Sequence, residues 1–447
     1  MEKILADIEA HADEYLTRLM QALAQPSVSS EGTGLAEMAG LLTGMLTEVG
    51  FRVEPVHAGG PPVLLARMAG RNGRTLLFYN HYDVQPADPL DLWDSPPFEP
   101  TIRDGRLYAR GTADNKGALI ARLCAIESYL RIRRRLPVHL VWAIEGEEEA
   151  GSLHLPQFVA VRQEALRDCF GCVWEAGGKN ARERCEMALG CKGLLYVELR
   201  ARGARRDMHS ALATIVENPA WRLVWALESI RGPDGAVRIP GFADDVRPPT
   251  PAQRQALADW DYPEEEDRAL FGITHFLDGL SGMALKERFV FGTTCNINGF
   301  HSGYGGPGSK TVLPCEAVAR LDFRLVPDQR PERLLALLRA HLDAQGFADV
   351  EITRWEGEMP AAGSPEHPFV QAAVRAAERT YGHSPAILPL MAGTGPMHLL
   401  CAQFGVPVVT AGVSNADSRA HAPNENLRLS DYFDHIRYIT ALLDRFE

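Results

Sequence analysis

Hydrophobic and polar positions divide the chain into alternating helical and strand-like segments. Two helical patterns come first, over 2–24 and 35–49, and the second ends at Gly50, a residue typical of helix C-termini. Apolar runs such as RTLLFYN and VHLVWAI then alternate with helical stretches near 115–132 and 154–161. This βαβ alternation predicts an α/β fold with a mixed, mainly parallel sheet that is covered by helices on both faces.

The order of elements changes after Gly190. The segments GLLYVELRA, NPAWRLVWALESI, TTCNINGF, AVARLDFRLV, PERLLALLRAHLDA and VEITRWE read as strand, helix, strand, strand, helix and strand, which is the ferredoxin-like order. An acidic, proline-containing insertion interrupts this order between about Gly232 and Glu287, and α/β alternation returns near Glu366. We therefore predict a first domain in two parts, with an α+β domain inserted between them: 1–190, 361–447 and, inserted, 191–360.

Charge and composition exclude several classes of function. The 447 residues carry a formal net charge of −12 without a long basic stripe, so no nucleic-acid partner is expected. No apolar run approaches the roughly 20 residues that cross a bilayer, and the N-terminal segment lacks the apolar core of a signal peptide. Eight cysteines without a secretion signal are expected to be reduced thiols. A cytoplasmic globular protein without a membrane partner is predicted.

Acidic and imidazole side chains stand where predicted strands end. The stretch EGEEEAGS, which contains Glu147, Glu148 and Glu149, directly follows the apolar run VHLVWAI. Carboxylates beside a hydrophobic core must be solvated, neutralised by protonation or bound to cations. The other candidate groups at predicted strand ends are His81, Asp83, Asp114, Glu175 and His421.

Each of these residues has another explanation when it is taken alone. A single loop histidine is more often a surface residue, Asp114 could cap the helix that follows it, and a glutamate triplet often begins a solvated helix. Convergence favours a metal site, because all the positions are predicted at the C-terminal edges of strands in one sheet. Two imidazoles with three or more carboxylates suit zinc, manganese or cobalt in a paired site. Two ions sharing one carboxylate would activate a bridging water and polarise a carbonyl group.

Four motifs carry a resemblance to a known family. In this order and spacing, HYDVQP, GTADNKG, EGEEEAGS and HAPNE resemble the dinuclear metallohydrolases that include carnosinase-type dipeptidases, glutamate carboxypeptidase, aminoacylases, acetylornithine deacetylase and succinyl-diaminopimelate desuccinylase. The resemblance implies a zinc-exopeptidase-like catalytic domain with an inserted lid and dimerisation domain. It also implies two divalent ions per subunit, zinc first, with manganese or cobalt as alternatives. By this resemblance His81 and Glu175 hold one ion, Glu149 and His421 hold the other, and Asp114 bridges both.

The same resemblance assigns roles to residues that are not metal ligands. Asp83 would accept a hydrogen bond from the His81 imidazole and fix its tautomer. Glu148 would be the general base, taking a proton from the metal-activated water and delivering it to the leaving amine. The third member of the triplet, Glu147, is expected to be an exposed neighbour.

The resemblance also implies functional residues in the middle and last parts of the chain. RRDMHSA is similar to a lid motif whose histidine, here His209, reaches the partner subunit's active site to stabilise the tetrahedral oxyanion, so a homodimer is expected. Arg324 in DFRLVP matches the position that grips a substrate carboxylate, and Gly393, Thr394 and Gly395 offer backbone N–H groups to it. An ordinary capping role for His209 and a glycine turn without a ligand are the alternatives.

Two positions depart from the carnosinase-like pattern. Glu175 stands where those members usually carry Asp, which leaves metal ligation intact but does not settle the branch of the family. The segment LPLMAGTGPM is apolar where they carry a charged residue ahead of the glycine turn. This difference indicates a less polar substrate side chain or acyl group.

The function predicted is cleavage of an amide or peptide bond next to a free carboxylate, as in a dipeptidase or carboxypeptidase. The substrate would be a small peptide. Deacylation of N-acyl amino acids uses the same residues and is the alternative. A metal-free, non-catalytic binding protein is the alternative from another class, although none of the expected ligands is missing from the sequence.

Overall fold

The computed structural model describes all residues from 1 to 447. Its helices are interspersed with the strands along the whole chain. The thirteen helices are α1 (Glu2–Ala10), α2 (Ala12–Ala24), α3 (Leu35–Val49), α4 (Gly117–Arg133), α5 (Leu155–Leu166), α6 (Pro219–Ile230), α7 (Pro251–Asp259), α8 (Glu264–Phe271), α9 (Gly282–Phe291), α10 (Pro331–Ala344), α11 (Pro368–Tyr381), α12 (Met397–Leu400) and α13 (Leu429–Asp444).

Nineteen strands form five separate sheets. Two of these sheets, with six and four strands, organise the two domains. The strands are β1 (Arg52–Val56), β2 (Val63–Met68), β3 (Thr75–His81), β4 (Thr101–Arg103), β5 (Arg106–Tyr108), β6 (His139–Glu145), β7 (Cys169–Trp174), β8 (Gly178–Lys179), β9 (Cys185–Ala188), β10 (Gly193–Arg202), β11 (Met208–His209), β12 (Asn296–Ser302), β13 (Val312–Leu313), β14 (Glu316–Leu325), β15 (Glu351–Glu358), β16 (Ala386–Leu388), β17 (Val408–Thr410), β18 (Ser414–Asn415) and β19 (Asn426–Arg428).

The six-stranded sheet has the order β1-β2-β6-β3-β7-β17. Strands β6, β3, β7 and β17 run parallel, whereas β1 and β2 form an antiparallel edge. Successive side chains point to opposite faces of the strands, so Phe78 and Trp142 belong to one core with α4 and α13. Tyr79 and Trp174 belong to the core on the other face, with α5 and α12. Helices therefore cover both faces, as the sequence pattern predicts.

One of the two four-stranded sheets is antiparallel throughout, with the order β12-β14-β10-β15. Helices α6 and α10 pack on one face of it, where Leu223 and Leu338 meet Leu199 and Phe323 in a separate core. The element order and strand order are those of a ferredoxin-like unit, and the predicted fold class is confirmed. The predicted domain boundaries after 190 and after 360 lie between the strands of the two sheets. We call this α+β unit the lid.

The insertion predicted between about 232 and 287 contains α7, α8 and the start of α9, which runs on to Phe291. Trp260 of the insertion and Val290 of α9 pack with Leu388 in a small core of their own. The indole Nε1 of Trp260 also donates a hydrogen bond to Glu186, at 2.8 Å. The insertion therefore joins the lid to the edge of the first domain.

Some helices begin or end elsewhere than the sequence pattern predicts. The pattern over 2–24 is interrupted at His11, whose imidazole Nδ1 lies 2.8 Å from the carbonyl oxygen of Asp7 and competes for a helix acceptor. The helix predicted from about 115 begins at Gly117, after a wide turn over Thr112–Lys116 in which the N–H of Lys116 donates to the carbonyl oxygen of Gly111 at 2.9 Å. None of the helices combines the length and the apolar character that crossing a bilayer requires.

A buried arginine on α4 ties the ends of the central strands together. The guanidinium of Arg122 donates hydrogen bonds to the carbonyl oxygens of Tyr79, Val173, Trp174 and Ala411 at 2.7–3.1 Å. It also donates to the side-chain oxygen of Asn80 at 2.7 Å. No carboxylate pairs with it, and burial lowers its pKa to about 10. One side chain thus holds β3, β7 and the segment after β17 where they converge.

Replacement of Arg122 by methionine tests this role. We expect Arg122→Met to lower the free energy of unfolding by about 3–5 kcal/mol, because several buried carbonyl groups each lose a charged hydrogen-bond donor. Arg133→Met is the matched control on the same helix. Arg133 is partly exposed and pairs with Asp444, so its loss should cost no more than about 1 kcal/mol. Urea denaturation measures both, and equal losses would contradict the proposed role.

Candidate active site

His81, the last residue of β3, points one ring nitrogen at a backbone acceptor. Its Nδ1 lies 3.0 Å from the carbonyl oxygen of Asp83. A carbonyl oxygen only accepts, so Nδ1 carries the proton of this hydrogen bond. The other nitrogen, Nε2, faces Asp114 at 3.0 Å from Oδ1. The local geometry therefore directs Nε2 of His81 toward the centre of the site.

The Asp114 carboxylate lies between two imidazoles. Its Oδ1 contacts His81, and its Oδ2 lies 3.0 Å from Nε2 of His421. Burial disfavours the charged carboxylate, but the two imidazoles outweigh that effect and lower the pKa of Asp114. Hydrogen bonds to Asp114 and Glu149 raise the pKa of His421 to about 10. Asp114 is thus shared by two groups that come from distant parts of the chain.

Glu149 completes a compact donor set. Its Oε2 lies 3.2 Å from Nε2 of His421 and accepts a hydrogen bond from Gln85 at 2.8 Å. His81, Asp114 and Glu149 each offer a ligand atom, and these atoms lie within 4.8 Å of one another. The second oxygen of Glu149, Oε1, is buried and has no hydrogen-bond partner. A buried carboxylate oxygen without a partner is costly, and a bound cation would satisfy it. The residues therefore fit a metal ion.

Glu175 directly follows β7 and lies near this set, although it is not among the residues whose ligand atoms lie within 4.8 Å of one another. Its Oε2 accepts a hydrogen bond from the side chain of Asn115 at 2.8 Å. Burial raises its pKa to about 7; among its neighbours His81 lowers the pKa, whereas Asp114 and Glu149 raise it. The structure therefore brings the five sequence-predicted metal ligands into one region, although Asp114 and His421 come from a helix-leading turn and a long loop rather than from strand ends of the central sheet.

Glu148 stands beside the donor set with a free carboxylate. The side chain makes no hydrogen bond or ion pair and lines the cleft described below. Burial raises its pKa well above the usual range; His81 opposes the shift, and the carboxylates of Glu175, Asp114 and Glu149 add to it. Glu149 lines the same cleft, but its carboxylate contacts Gln85 and His421, whereas that of Glu148 has no such partner.

Asp83 approaches His81 with two groups. Its backbone carbonyl accepts the hydrogen bond of Nδ1, and one oxygen of its carboxylate lies 3.4 Å from the same nitrogen. The carboxylate also accepts the backbone N–H groups of Glu148 at 3.2 Å and Glu149 at 3.0 Å, contacts that the sequence did not suggest. The fully buried Asp83 therefore holds the turn that carries both glutamates.

Glu147 is not the exposed neighbour that the sequence suggests. Only 14% of its side chain is exposed, and both of its oxygens lie 2.9 Å from Nδ1 of His154. The backbone N–H of His154 donates to it as well, at 3.2 Å. Glu147 thus anchors the start of α5.

Glu425 is a residue of the site that the sequence reasoning missed. It is fully buried, and its Oε1 accepts the N–H groups of Ala113 and Asp114 at 2.9 and 3.0 Å. Its Oε2 accepts from the N–H of Gly111 and from the guanidinium of Arg110 at 2.9 and 2.8 Å. The motif HAPNE ends with this residue, so its position beside His421 was the available signal. Glu425 ties the turn of Asp114 to the loop of His421.

A cleft of about 770 Å³ opens between the first domain and the lid. Arg324 reaches across it from the lid and donates a hydrogen bond to Thr394 Oγ1 at 2.6 Å. Gly395 also lines the cleft, whereas Gly393 does not. The carbonyl oxygen of Gly393 accepts the backbone N–H of Lys192 at 3.1 Å. His209 lies outside the cleft of its own chain.

His209 is exposed at the end of β11, where its Nδ1 accepts the backbone N–H of Ala211 at 3.1 Å. This contact is the capping role considered above as an alternative. It leaves Nε2 of the exposed ring without a partner in the same chain.

Comparisons with known proteins agree with this geometry. Residues 77–445, which include all five candidate ligands, match the model of peptidase family M20/M25/M40. The solved structure of an M20 family metallo-carboxypeptidase from Sulfolobus solfataricus superposes with a TM-score of 0.93 at 38% identity, covering 97% of this chain and 99% of that chain.

Two curated relatives align with most of the chain. A Cys-Gly metallodipeptidase of Schizosaccharomyces pombe is 27% identical over 98% of this chain and 96% of its own length. A succinyl-diaminopimelate desuccinylase of Paracidovorax citrulli is 33% identical over 77% of this chain and 76% of its own length. The family predicted from the four motifs is therefore confirmed, and the protein is a hydrolytic enzyme that belongs to peptidase family M20/M25/M40.

Proposed function

We propose that the protein is a metal-dependent dipeptidase that cleaves an amide bond next to a free carboxylate. The observation that carries this proposal is the position of Asp114, which presents one oxygen to His81 and the other to His421. The unpartnered carboxylate of Glu148 lies beside them, and Arg324 lies across the cleft. A relative named as a Cys-Gly metallodipeptidase supports the substrate class.

Two divalent ions fit the donor set. His81 and Glu175 would hold one ion, Glu149 and His421 the other, and Asp114 would serve both. Imidazole and carboxylate donors suit zinc, with manganese and cobalt as alternatives. When bound, the ions polarise the amide carbonyl and lower the pKa of a water molecule.

Glu148 is the proposed general base. Its carboxylate has no partner and faces the cleft, so it is free to take a proton from the attacking water. The same carboxyl group then delivers this proton to the leaving nitrogen. The carboxylate of Asp83 accepts a hydrogen bond from the backbone N–H of Glu148 at 3.2 Å and so holds Glu148 in place.

Arg324 is the proposed anchor for the substrate carboxylate. A guanidinium presents paired donors that match the two oxygens of a carboxylate. Thr394 fixes the guanidinium at 2.6 Å, and the backbone of Gly395 borders the same part of the cleft. A peptide whose terminal carboxylate binds here would place its last amide bond toward Glu148.

Deacylation of N-acyl amino acids is the second candidate. The relative named as a desuccinylase, at 33% identity, favours it. The same base, metal ligands and carboxylate anchor serve both reactions. A panel of dipeptides and N-acyl amino acids, assayed with zinc, manganese and cobalt, separates the two.

We further propose a homodimer in which His209 acts in the partner's cleft. His209 is exposed and lies outside its own cleft. The lid also exposes a large apolar surface: Trp221 and Trp225 on α6 are 58% and 56% exposed, and Ile297 and Phe300 on the edge strand β12 are 53% and 47% exposed. An exposed edge strand with apolar side chains is suited to pairing with another chain.

Replacement of Asp114 should abolish metal binding. In Asp114→Ala both imidazoles lose the carboxylate that faces them, so we expect fewer than one tightly bound ion per chain, against two in the wild type. Mass spectrometry of metals in dialysed protein measures this content. The exposed Asp91 provides the control, since Asp91→Ala should keep both ions. Full metal content in Asp114→Ala would refute the proposed ligand set.

Replacement of Glu148 should separate catalysis from metal binding. Glu148→Gln removes the proton acceptor without touching a proposed ligand, so we expect kcat to fall by about 10²–10⁴-fold while metal content stays near normal. Glu147→Gln is the matched control, because Glu147 contacts His154 rather than the cleft; its kcat should change less than about tenfold. Wild-type rates in Glu148→Gln would show that another group is the base.

Mixed dimers test the shared site. His209→Ala and Glu148→Gln should each be poorly active alone, since each lacks one group of every site. Hybrid dimers contain one site with both groups, so an equimolar mixture of the two should recover about a quarter of wild-type activity. Activity is measured after subunit exchange. The absence of recovery, with hybrids demonstrated by native mass spectrometry, would exclude the shared site.

A further inference from the structure

Three side chains form a row across the lid sheet, on the face that borders the cleft. Leu194 on β10 pairs with Arg324 on β14 and, on its other side, with Glu358 on β15. Residues directly opposite each other in antiparallel strands project from the same face. All three line the cleft, whereas the adjacent Leu195 and Phe323 are buried in the lid core.

Glu358 is an acid without a counter-ion. Its carboxylate makes no hydrogen bond or ion pair, and the side chain is half-buried. Burial raises its pKa to about 7; Glu356 adds to this shift and Arg354 opposes it. The acid at the other end of the same strand, Glu351, is by contrast exposed and paired with Arg202 at 2.9 Å.

The row has a cation at one end and an anion at the other. Neighbouring strands are about 4.8 Å apart, so the backbone positions of Arg324 and Glu358 are roughly 10 Å apart. The charged ends of an extended dipeptide are about 7 Å apart, which allows both side chains to reach them. Between them lies Leu194, which bears no charge.

We propose that Glu358 receives a primary ammonium group of the substrate while Arg324 receives its carboxylate. This assignment rests on the proposed amide hydrolysis and refines it. The ammonium group is either the free N-terminus of a dipeptide or the side chain of a basic residue. Glu358 then selects peptides against N-acyl amino acids, which carry no cation at that end.

Three substrates distinguish these cases. Alanyl-alanine has a free terminal ammonium, N-acetyl-alanyl-alanine has none, and N-acetyl-lysyl-alanine has only a side-chain ammonium. We measure kcat/KM for each with metal-loaded wild type, Glu358→Gln and the control Glu351→Gln, which makes the same charge change at the exposed end of β15.

We expect Glu358→Gln to lower kcat/KM for alanyl-alanine about 10- to 100-fold, the range of a charge-assisted hydrogen bond. The value for N-acetyl-alanyl-alanine should change less than about threefold, and Glu351→Gln should change neither. A matching loss for N-acetyl-lysyl-alanine identifies the lysine side chain as a second source of the ammonium group. An unchanged value identifies the terminal ammonium alone. Both results support the assignment.

Reversing the charge of Glu358 should increase the activity toward one substrate, and structural damage would not produce such an increase. Glu358→Lys should raise kcat/KM for N-succinyl-alanine, whose second carboxylate replaces the ammonium group. Equal losses on all substrates in Glu358→Gln, together with no gain in Glu358→Lys, would overturn the role of Glu358 while leaving the proposed hydrolysis intact. If the metal-loaded wild type hydrolyses none of the substrates, the proposed function fails, and the assignment fails with it.

Discussion

The accumulation of carboxylates in one buried region is the constraint on which the rest of the structure depends. Asp114, Glu149 and Glu175 lie close enough to Glu148 to add to the rise of its pKa that burial causes, and only two imidazoles stand among these carboxylates. Like charges out of water repel strongly, so the region needs protons or cations. The buried, unpartnered oxygen of Glu149 marks the same need. A pair of divalent ions would satisfy the imidazole nitrogens and the carboxylate oxygens together, and it would leave Glu148, the proposed base, unliganded.

The surrounding residues hold these groups in position by backbone hydrogen bonds. Asp83 fixes the turn of Glu148 and Glu149, Glu425 fixes the turn of Asp114, and Arg122 joins the strand ends next to His81 and Glu175. Each is a buried charge whose partners are mainly main-chain groups. Such contacts fix the path of the backbone rather than the direction of one side chain. A site whose residues come from five distant segments requires the backbone of each segment to be fixed in this way. The stability of the first domain and the geometry of the site are therefore coupled.

The cleft is chemically asymmetric because it lies between two domains. The first domain supplies the proposed metal ligands and base, and the lid supplies a guanidinium and an unpaired carboxylate in one cross-strand row. The segment LPLMAGTGPM, whose apolar character predicts a less polar substrate, contributes Thr394 and Gly395 to the wall but no charge. The charges come instead from β14 and β15. Within one chain, the proposed ligands and base thus come from the first domain, whereas the proposed charged contacts with the substrate come from the lid.

The sequence by itself determined the family, the fold class, the ferredoxin-like order of the lid and the short list of candidate ligands. Local patterns and four motifs carry that information, because strand and helix periodicity and motif spacing are properties of neighbouring residues. Only the tertiary structure decided which partners the charged side chains find. It showed that Glu147 anchors α5, that the carboxylate of Asp83 binds backbone N–H groups, that Glu425 and Arg122 hold the backbone around the candidate ligands, and that Glu358 lines the cleft. These contacts join residues far apart in the chain, such as Glu425 and Gly111, and depend on strand register and loop paths that no local pattern specifies.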